Sequence, residues 1–237
     1  MDLVYIVRPG DDNEELRYSL RSVVNLPHDN VWIVGHCPEW VRNTSVLELE
    51  PHPVKWDNIN QSLAAACAEE RISDWFVLMA DDMFITEPQA DIPVIHIGSL
   101  LAVIAEQAEA GETREKNSYF GGLVETYIQL VEWGQDVPLC YEAHTPLPFN
   151  RHELASLLER ATRYPILWGC LYAATSGPVG TLGDNSKISD LGPGGLLHRM
   201  IRGGPCLSTE DDSFEFGVVG EYVRNMFPNP GPYEEAS

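Results

Sequence analysis

Two adjacent aspartates, Asp81 and Asp82, follow the apolar run Trp75-Phe76-Val77-Leu78-Met79-Ala80 and precede a second apolar group, Met83-Phe84-Ile85. An apolar strand that runs into paired carboxylates needs a cation to meet them, because an unpaired buried charge is very costly. Carboxylates placed where a strand of an α/β sheet ends lie in the crevice where such sheets bind ligands. Hard oxygen ligands suit Mg²⁺ or Mn²⁺, and a metal held by one or two carboxylates takes its other ligands from substrate phosphates. The pattern implies a metal–diphosphate site of the kind that binds a nucleotide-sugar. A solvated Asp-Asp turn is the plain alternative.

Other polar residues occur where neighbouring loops should converge. Arg8 stands just beyond a first apolar run and could offset a diphosphate, or be a surface arginine. Lys55-Trp56-Asp57-Asn58 precedes a helical pattern, whose free N–H groups and dipole favour an anion. Lys55 and Asn58 are donor-binding candidates there, and simple capping by Asp57 or Asn58 is the alternative. His144 lies in a loop stiffened by Pro146 and Pro148 and could ligate metal, act as a base, or be structural. Asp184 and Lys187 could contact a sugar or phosphate, or belong to a solvated loop. Ser208-Thr209-Glu210-Asp211-Asp212 precedes the last helical pattern. It reads as a helix cap, or as a source of a carboxylate, Asp211 or Asp212, that takes a proton from an acceptor hydroxyl. Walker A, GxGxxG, GxSxG and HExxH patterns are absent, which argues against P-loop NTPases, dinucleotide-dependent oxidoreductases, α/β-hydrolases and zincins.

The elements that must carry these residues read as α/β. Leu3–Val7 is a buried strand ended by Pro9-Gly10, and Asp11, Asp12 or Asn13 can cap the helix that follows, with Leu16, Leu20, Val23 and Val24 on one face. Val31–Gly35 is a second strand, and strand–helix–strand order favours a parallel sheet. A short strand near Val46–Leu49, a helix over 58–71, the strand leading to Asp81, a strand over 92–97, and helices over 100–110, 119–133, 151–163 and 214–227 follow. Residues 174–206, rich in Gly, Pro and Ser, read as a long functional or mobile loop. No repeat or linker appears, so 1–237 is expected to be one domain, with 1–98 as the nucleotide-sugar-binding half and 99–237 as the acceptor side.

At 237 residues, with 44% hydrophobic and 22% charged residues, the chain can bury a sizeable core. Fifteen basic against 36 acidic residues give a net charge of −21, which opposes long-range attraction to nucleic acid or an anionic membrane. Five scattered cysteines without CxxC spacing point to reduced thiols. With no signal-peptide pattern at Met1-Asp2 and no apolar run of transmembrane length, a soluble cytoplasmic location is expected.

Several segments together resemble the Stealth family of sugar-phosphate transferases. Glu15–Ser22 with Val31–Trp40 resembles its second block, Phe76–Phe84 its metal-binding Asp-Asp strand, His144-Thr145-Pro146 its His-x-Pro block, and Leu207–Asp212 with Met226–Glu234 its last block. The chain is also similar to compact glycosyltransferases of actinobacteriophages, whose location would be the host cytoplasm. Three departures stand out. Val7-Arg8-Pro9-Gly10-Asp11 replaces the first block, the arginine-rich stretch shrinks to Arg163-Tyr164-Pro165, and Ser208-Thr209 stands where the last block has Asn-Asp. The resemblance implies a single GT-A-like nucleotide-sugar-binding domain, with a central mixed, mostly parallel sheet flanked by helices. It implies that Asp81 and Asp82 hold Mn²⁺ or Mg²⁺ and the donor diphosphate, that His144 sits at the active centre, and that Asp211 or Asp212 lies near donor or acceptor. A UDP-sugar donor is the expectation. Acceptors in view are a hydroxylated base in phage DNA, a virion protein or a glycan. The alternatives are transfer of a sugar-1-phosphate and a non-catalytic nucleotide-sugar-binding or interaction protein.

Overall fold

A computed structural model describes residues 1–10, 12–115 and 117–235. In chain order the elements are β1 (Asp2–Val7), α1 (Glu14–Ser22), β2 (Val31–Gly35), β3 (Ser45–Glu48), α2 (Lys55–Ala68), β4 (Trp75–Met79), β5 (Met83–Ile85), β6 (Ile95–His96), α3 (Leu100–Glu109), α4 (Tyr119–Glu132), β7 (Leu147–Asn150), α5 (Arg151–Arg160), α6 (Trp168–Thr175), β8 (Thr181–Leu182), β9 (Lys187–Ile188), α7 (Pro193–Arg202), β10 (Cys206–Thr209), α8 (Asp211–Phe216) and α9 (Val218–Met226).

The central sheet has the order β3-β2-β1-β4-β7. The first four strands are parallel and β7 is antiparallel to β4. The expected α/β class and mixed, mostly parallel sheet flanked by helices therefore hold. β1 is buried on both faces, which is why its sequence is a continuous apolar run. Leu3, Tyr5 and Val7 pack with Leu16 and Leu20 of α1, while Val4 packs with Leu63 and Ala66 of α2. Asp2, fully buried at the start of β1, accepts from the Asn30 and Ser73 amides and from Trp32 Nε1, tying the lower ends of three strand connections together.

This topology fixes where a ligand can lie. β2 and β3 extend to one side of β1 and β4 to the other, so the winding reverses between β1 and β4. Open α/β sheets bind ligands at that reversal, beyond the carboxyl ends of the strands. The pairings Val7 with Gly35 and Tyr5 with Met79 bring the chain out of β1 at Arg8 and out of β4 at Ala80 along one edge. Gly35 has φ +109°, and a Cβ there would stand 2.4 Å from the Val7 carbonyl oxygen, so glycine permits the close approach beside Arg8.

Beyond Asp82 the chain enters a second sheet, β5-β10-β9. Its apolar side, Phe84, Ile188 and Leu207, packs against Phe214, Val219 and Val223, with Phe84 and Phe214 stacked at 5.6 Å between ring centroids. The turn at residues 80–82 therefore joins two sheets. Strands from the far end of the sequence flank it.

Several boundaries depart from the sequence reading. α2 begins at Lys55 and ends at Ala68, with Val54 as N-cap and no side-chain cap, so Asp57 and Asn58 are first-turn residues rather than caps. The 92–97 strand shrinks to Ile95–His96, paired with β8, and the 151–163 helix ends at Arg160. The segment 174–206 is not a long loop: it contains β8, β9 and α7. The last helix breaks at Gly217 into α8 and α9. Val24 is 75% exposed, because α1 tightens into a 3₁₀ turn over Val23–Asn25 that rotates it off the buried face. Of the three cap candidates, Asn13 caps α1 through Leu16 N at 3.0 Å, Asp12 does not, and Asp11 lies outside the described residues. All five cysteines are free thiols, as expected. Among the described residues no helix is long and apolar enough to cross a membrane.

Candidate functional site

The two aspartates are held from opposite directions. Asn13 stands in a left-handed conformation, φ 43°, and uses both ends of its side chain. Its Oδ1 caps α1, while its Nδ2 donates to Asp81 Oδ2 at 2.9 Å. Asp82 turns toward the second sheet: its Oδ2 accepts from Ser208 Oγ at 3.1 Å and from Lys187 Nζ at 3.4 Å. The Thr209 amide also donates to the Asp82 carbonyl, at 3.1 Å. A β10 residue and a β9 residue thus fix a carboxylate that follows β4.

A cleft of about 480 Å³ opens over this turn. It gathers Arg8, Lys55, Asn58, Asp81, Asp82, His144, Lys187 and Asp211, so eight of the ten candidate residues meet. Asp184 does not join them; it pairs with Arg202 at 3.5 Å and faces an adjoining trough. Asp212 is exposed on α8 and faces away, because Asp211 occupies the position of the first turn that looks into the cleft. His144 adopts φ +50°, and its Nδ1 is 3.0 Å from Asn185 Oδ1. Left-handed non-glycine residues are uncommon and concentrate at functional sites.

The cleft carries charges of both signs, with Lys187 paired to Asp82. Burial, then the Asp82 charge, push the Asp81 carboxyl above its ordinary range, against the Asn13 hydrogen bond and Arg8. Burial raises Glu15 to about 7, helped by Asp82, Asp81 and Asp211 and opposed by the bond from Thr209. Glu142, in the opposite wall, is also raised by burial, although His144 and Lys55 favour its charged form. On the basic side, loss of water around the Lys55 ammonium, together with Arg8 and Lys187, lowers its affinity for a proton. The cleft therefore sets Glu15, Asp81 and Asp82 against one another and Lys55 against Arg8 and Lys187, with the Lys187–Asp82 pair as partial compensation. A divalent cation at the first set and a diphosphate at the second would relieve both.

The donor set suits such a metal. Both aspartates offer hard oxygens, and among the described residues no hydrogen bond occupies Asp82 Oδ1. Among those residues no three of His, Cys, Asp and Glu converge as a complete ligand set. His144, tied to Asn185, is not gathered with the aspartates into a three-ligand group.

Glu15 and Glu142 escape a sequence reading. Glu15 has the signature of an ordinary first-turn carboxylate. Only its hydrogen bond with Thr209 Oγ1 (β10) and its place on the cleft wall mark it out. For Glu142, the one signal is its spacing of two from His144 in the same proline-stiffened loop.

Glu15 has a testable consequence for stability. Its pKa is raised in the folded chain, so the native state holds a proton that the unfolded chain gives up near the ordinary carboxylate value. This contribution is full below that value and is lost as pH rises through about 7. Urea melts should find Glu15→Gln close to the parent near pH 4.5 and more stable by about 2–3 kcal/mol at pH 8. Equal stabilities at pH 8 would mean that Glu15 is charged and satisfied.

No family model matches the sequence, and no curated protein matches it. Among solved structures the chain is similar to a galactosyltransferase, LgtC, in complex with donor and acceptor sugar analogues, at 8% identity and TM-score 0.46, covering 99% of this chain and 98% of that one. An active-site mutant of LgtC is similar at 9% identity and TM-score 0.48, with coverage of 99% and 98%. The glycosyltransferase GlyE of Streptococcus pneumoniae TIGR4 is similar at 11% identity and TM-score 0.32, covering 96% of this chain and 49% of that one.

Proposed function

We propose that this chain is a metal-dependent glycosyltransferase that moves a sugar from a nucleotide-sugar, a UDP-sugar by family resemblance, to an acceptor hydroxyl. The observation that carries the reading is the meeting of Asp81 and Asp82 with Arg8, Lys55 and Lys187 in one cleft at the winding reversal of the sheet. Carboxylates alone would suit a cation, and lysines alone an anion. Both sets facing one cleft suit a ligand that brings its own metal, and a nucleoside diphosphate is such a ligand. The GT-A-like assignment of the domain belongs to the same reading.

Asp81 and Asp82 would hold Mn²⁺ or Mg²⁺. When bound, the ion neutralises charge on the diphosphate as the sugar departs. Arg8 and Lys187 contact the phosphate oxygens, and Lys55, at the start of α2, adds its charge to the helix N-terminus. Transfer forms a bond between the acceptor oxygen and the anomeric carbon and breaks the bond from that carbon to the diphosphate, which keeps the electron pair. The acceptor proton passes to His144. Its Nδ1 is engaged by Asn185, which leaves Nε2 for the substrate.

The first test is thermal stability against UDP-glucose, UDP-galactose, UDP-N-acetylglucosamine and GDP-mannose, with and without Mn²⁺. A ligand at 100 times its Kd stabilises by about 2.7 kcal/mol, which raises Tm by about 5–10 °C in a chain of this size. A shift that needs both Mn²⁺ and one donor supports the reading and identifies that donor. No shift with any donor removes it. Product analysis then separates two chemistries: nucleoside diphosphate marks glycosyl transfer, and nucleoside monophosphate marks transfer of the sugar-1-phosphate.

A further inference from the structure

A second concavity of about 710 Å³ adjoins the cleft and shares Lys55, His144 and Lys187 with it. We propose that this trough binds the acceptor and that the acceptor is a neutral, hydroxyl-rich saccharide. The inference rests on the glycosyltransferase reading for the acceptor role, and on the trough itself for the chemistry.

The shared residues form a seam. His144 stands on it in a left-handed conformation and is fixed by Asn185, a trough residue. A hydroxyl reaching His144 from the trough would face the diphosphate side of the cleft. Two ligands can meet at this seam without overlapping elsewhere, as group transfer requires.

The lining away from the seam selects the chemistry. Its charged residues are Glu106, Asp184 and Glu210, all carboxylates. A phosphodiester backbone needs lysines and arginines along its path, and three carboxylates repel it. The two lysines of the trough stand at the seam it shares with the cleft, and Lys187 is paired there with Asp82 at 3.4 Å. Gln107 and Asn185 supply amides that both donate and accept, which suits vicinal hydroxyls. The Arg202 guanidinium, 3.5 Å from Asp184, orients that carboxylate. Tyr119, 38% exposed at the start of α4, lines the trough and supplies an aromatic surface for the C–H face of a sugar ring. The volume lies within the range of small-ligand sites, so it accommodates a short oligosaccharide.

The test is direct binding. The intact chain is applied to an array carrying neutral oligosaccharides, sialylated and sulfated oligosaccharides, single- and double-stranded DNA containing 5-hydroxymethyl bases, and Ser/Thr-rich peptides. Binding to neutral oligosaccharides is expected, weakened at least tenfold in both Tyr119→Ala and Asp184→Asn. Circular dichroism melts confirm folding, and Asp184→Asn alters a half-exposed side chain and its exposed pairing with Arg202. The proposal is overturned by binding confined to DNA, peptides or anionic glycans, by an absence of binding to any neutral glycan, or by neutral-glycan binding that neither folded variant changes. UDP-sugar binding is measured separately in the parent chain. Neutral-glycan binding lost in the variants, without UDP-sugar binding, would uphold the trough and remove the transferase reading.

Discussion

Replacing Asp82 by asparagine is expected to lower transfer by about 10²–10³-fold and to abolish the Mn²⁺-dependent thermal shift. The substitution keeps the shape of the side chain, and Ser208 and Lys187 can still donate to its carbonyl oxygen. What is lost is one of the two formal charges proposed to hold the metal. Removing a single group aimed at developing charge typically costs about 3–4 kcal/mol in the transition state. Stability should move little, by about 1 kcal/mol either way. The pairing with Lys187, a partly exposed ion pair, weakens, but the repulsion of Asp82 toward Asp81 and Glu15 also disappears. The informative pattern is therefore a large loss of activity in a protein that melts where the parent does. Initial rates over a Mn²⁺ titration measure it. An Asp82→Asn protein with parental rate and parental metal dependence would return the Asp-Asp turn to a structural role.

The site was partly legible because its first components are local. An apolar run ending in two carboxylates is a pattern over a dozen residues, and its meaning depends only on the strand being parallel and buried. The same holds for β1 and β2, whose continuous apolar runs reflect burial on both faces. His144 and Lys187 were legible as isolated polar residues in glycine- and proline-rich segments, but not as neighbours. Their meeting requires β9 to pair with β10 and β10 with β5, and the second of these registers joins segments more than 100 residues apart, Ser208 with Met83.

The missed elements have physical reasons as well. α6 is apolar on almost every face because it is buried, so its sequence carries no helical period. α7 opens with Pro193-Gly194-Gly195, poor helix formers. It forms because Asp190 accepts from the Gly195 amide at 2.8 Å, and because Leu196 and Arg199 are buried, the latter donating to the Cys206 carbonyl. β7 ends in Pro148-Phe149-Asn150, and a proline fits there only because β7 is an edge strand. Asn150 then caps α5, so one short segment closes a sheet and starts a helix. Asp184 and Asp212 show the limit of reading single residues: nothing in their neighbourhoods tells which side of a loop or first turn they occupy.

Glu234→Ala is expected to cost about 3 kcal/mol of stability, although the residue lies far along the chain from the cleft. Its carboxylate is 2% exposed and accepts from Arg21 Nε at 2.7 Å and Nη2 at 2.8 Å, from Arg17 at 3.1 Å and from the Gly231 amide at 2.7 Å. Burial alone would raise its pKa, but Arg21, Gly231 and Arg17 outweigh burial and hold it below the ordinary range. Removing it strands the Arg21 guanidinium, whose side chain is only 10% exposed, and breaking one side of a buried pair costs about 3–5 kcal/mol. In a chain of this size that is a fall in Tm of about 6–12 °C. Because the folded pKa is depressed, the contribution is present above the ordinary carboxylate value and disappears as pH falls through the folded one. The difference between parent and variant should therefore shrink in acid. The effect also reaches the site. Glu234 fastens the returning C-terminal segment to α1, and α1 carries Glu15 and the Asn13 that holds Asp81. Glu234→Ala should thus weaken Mn²⁺-dependent donor binding in protein that is still fully folded at 20 °C. Glu234→Gln keeps one acceptor oxygen but turns an NH₂ group toward the donors of the other, so it should recover only part of either loss. Donor binding unaffected by Glu234→Ala, with the expected drop in Tm, would mean that α1 keeps its place by packing on the sheet alone.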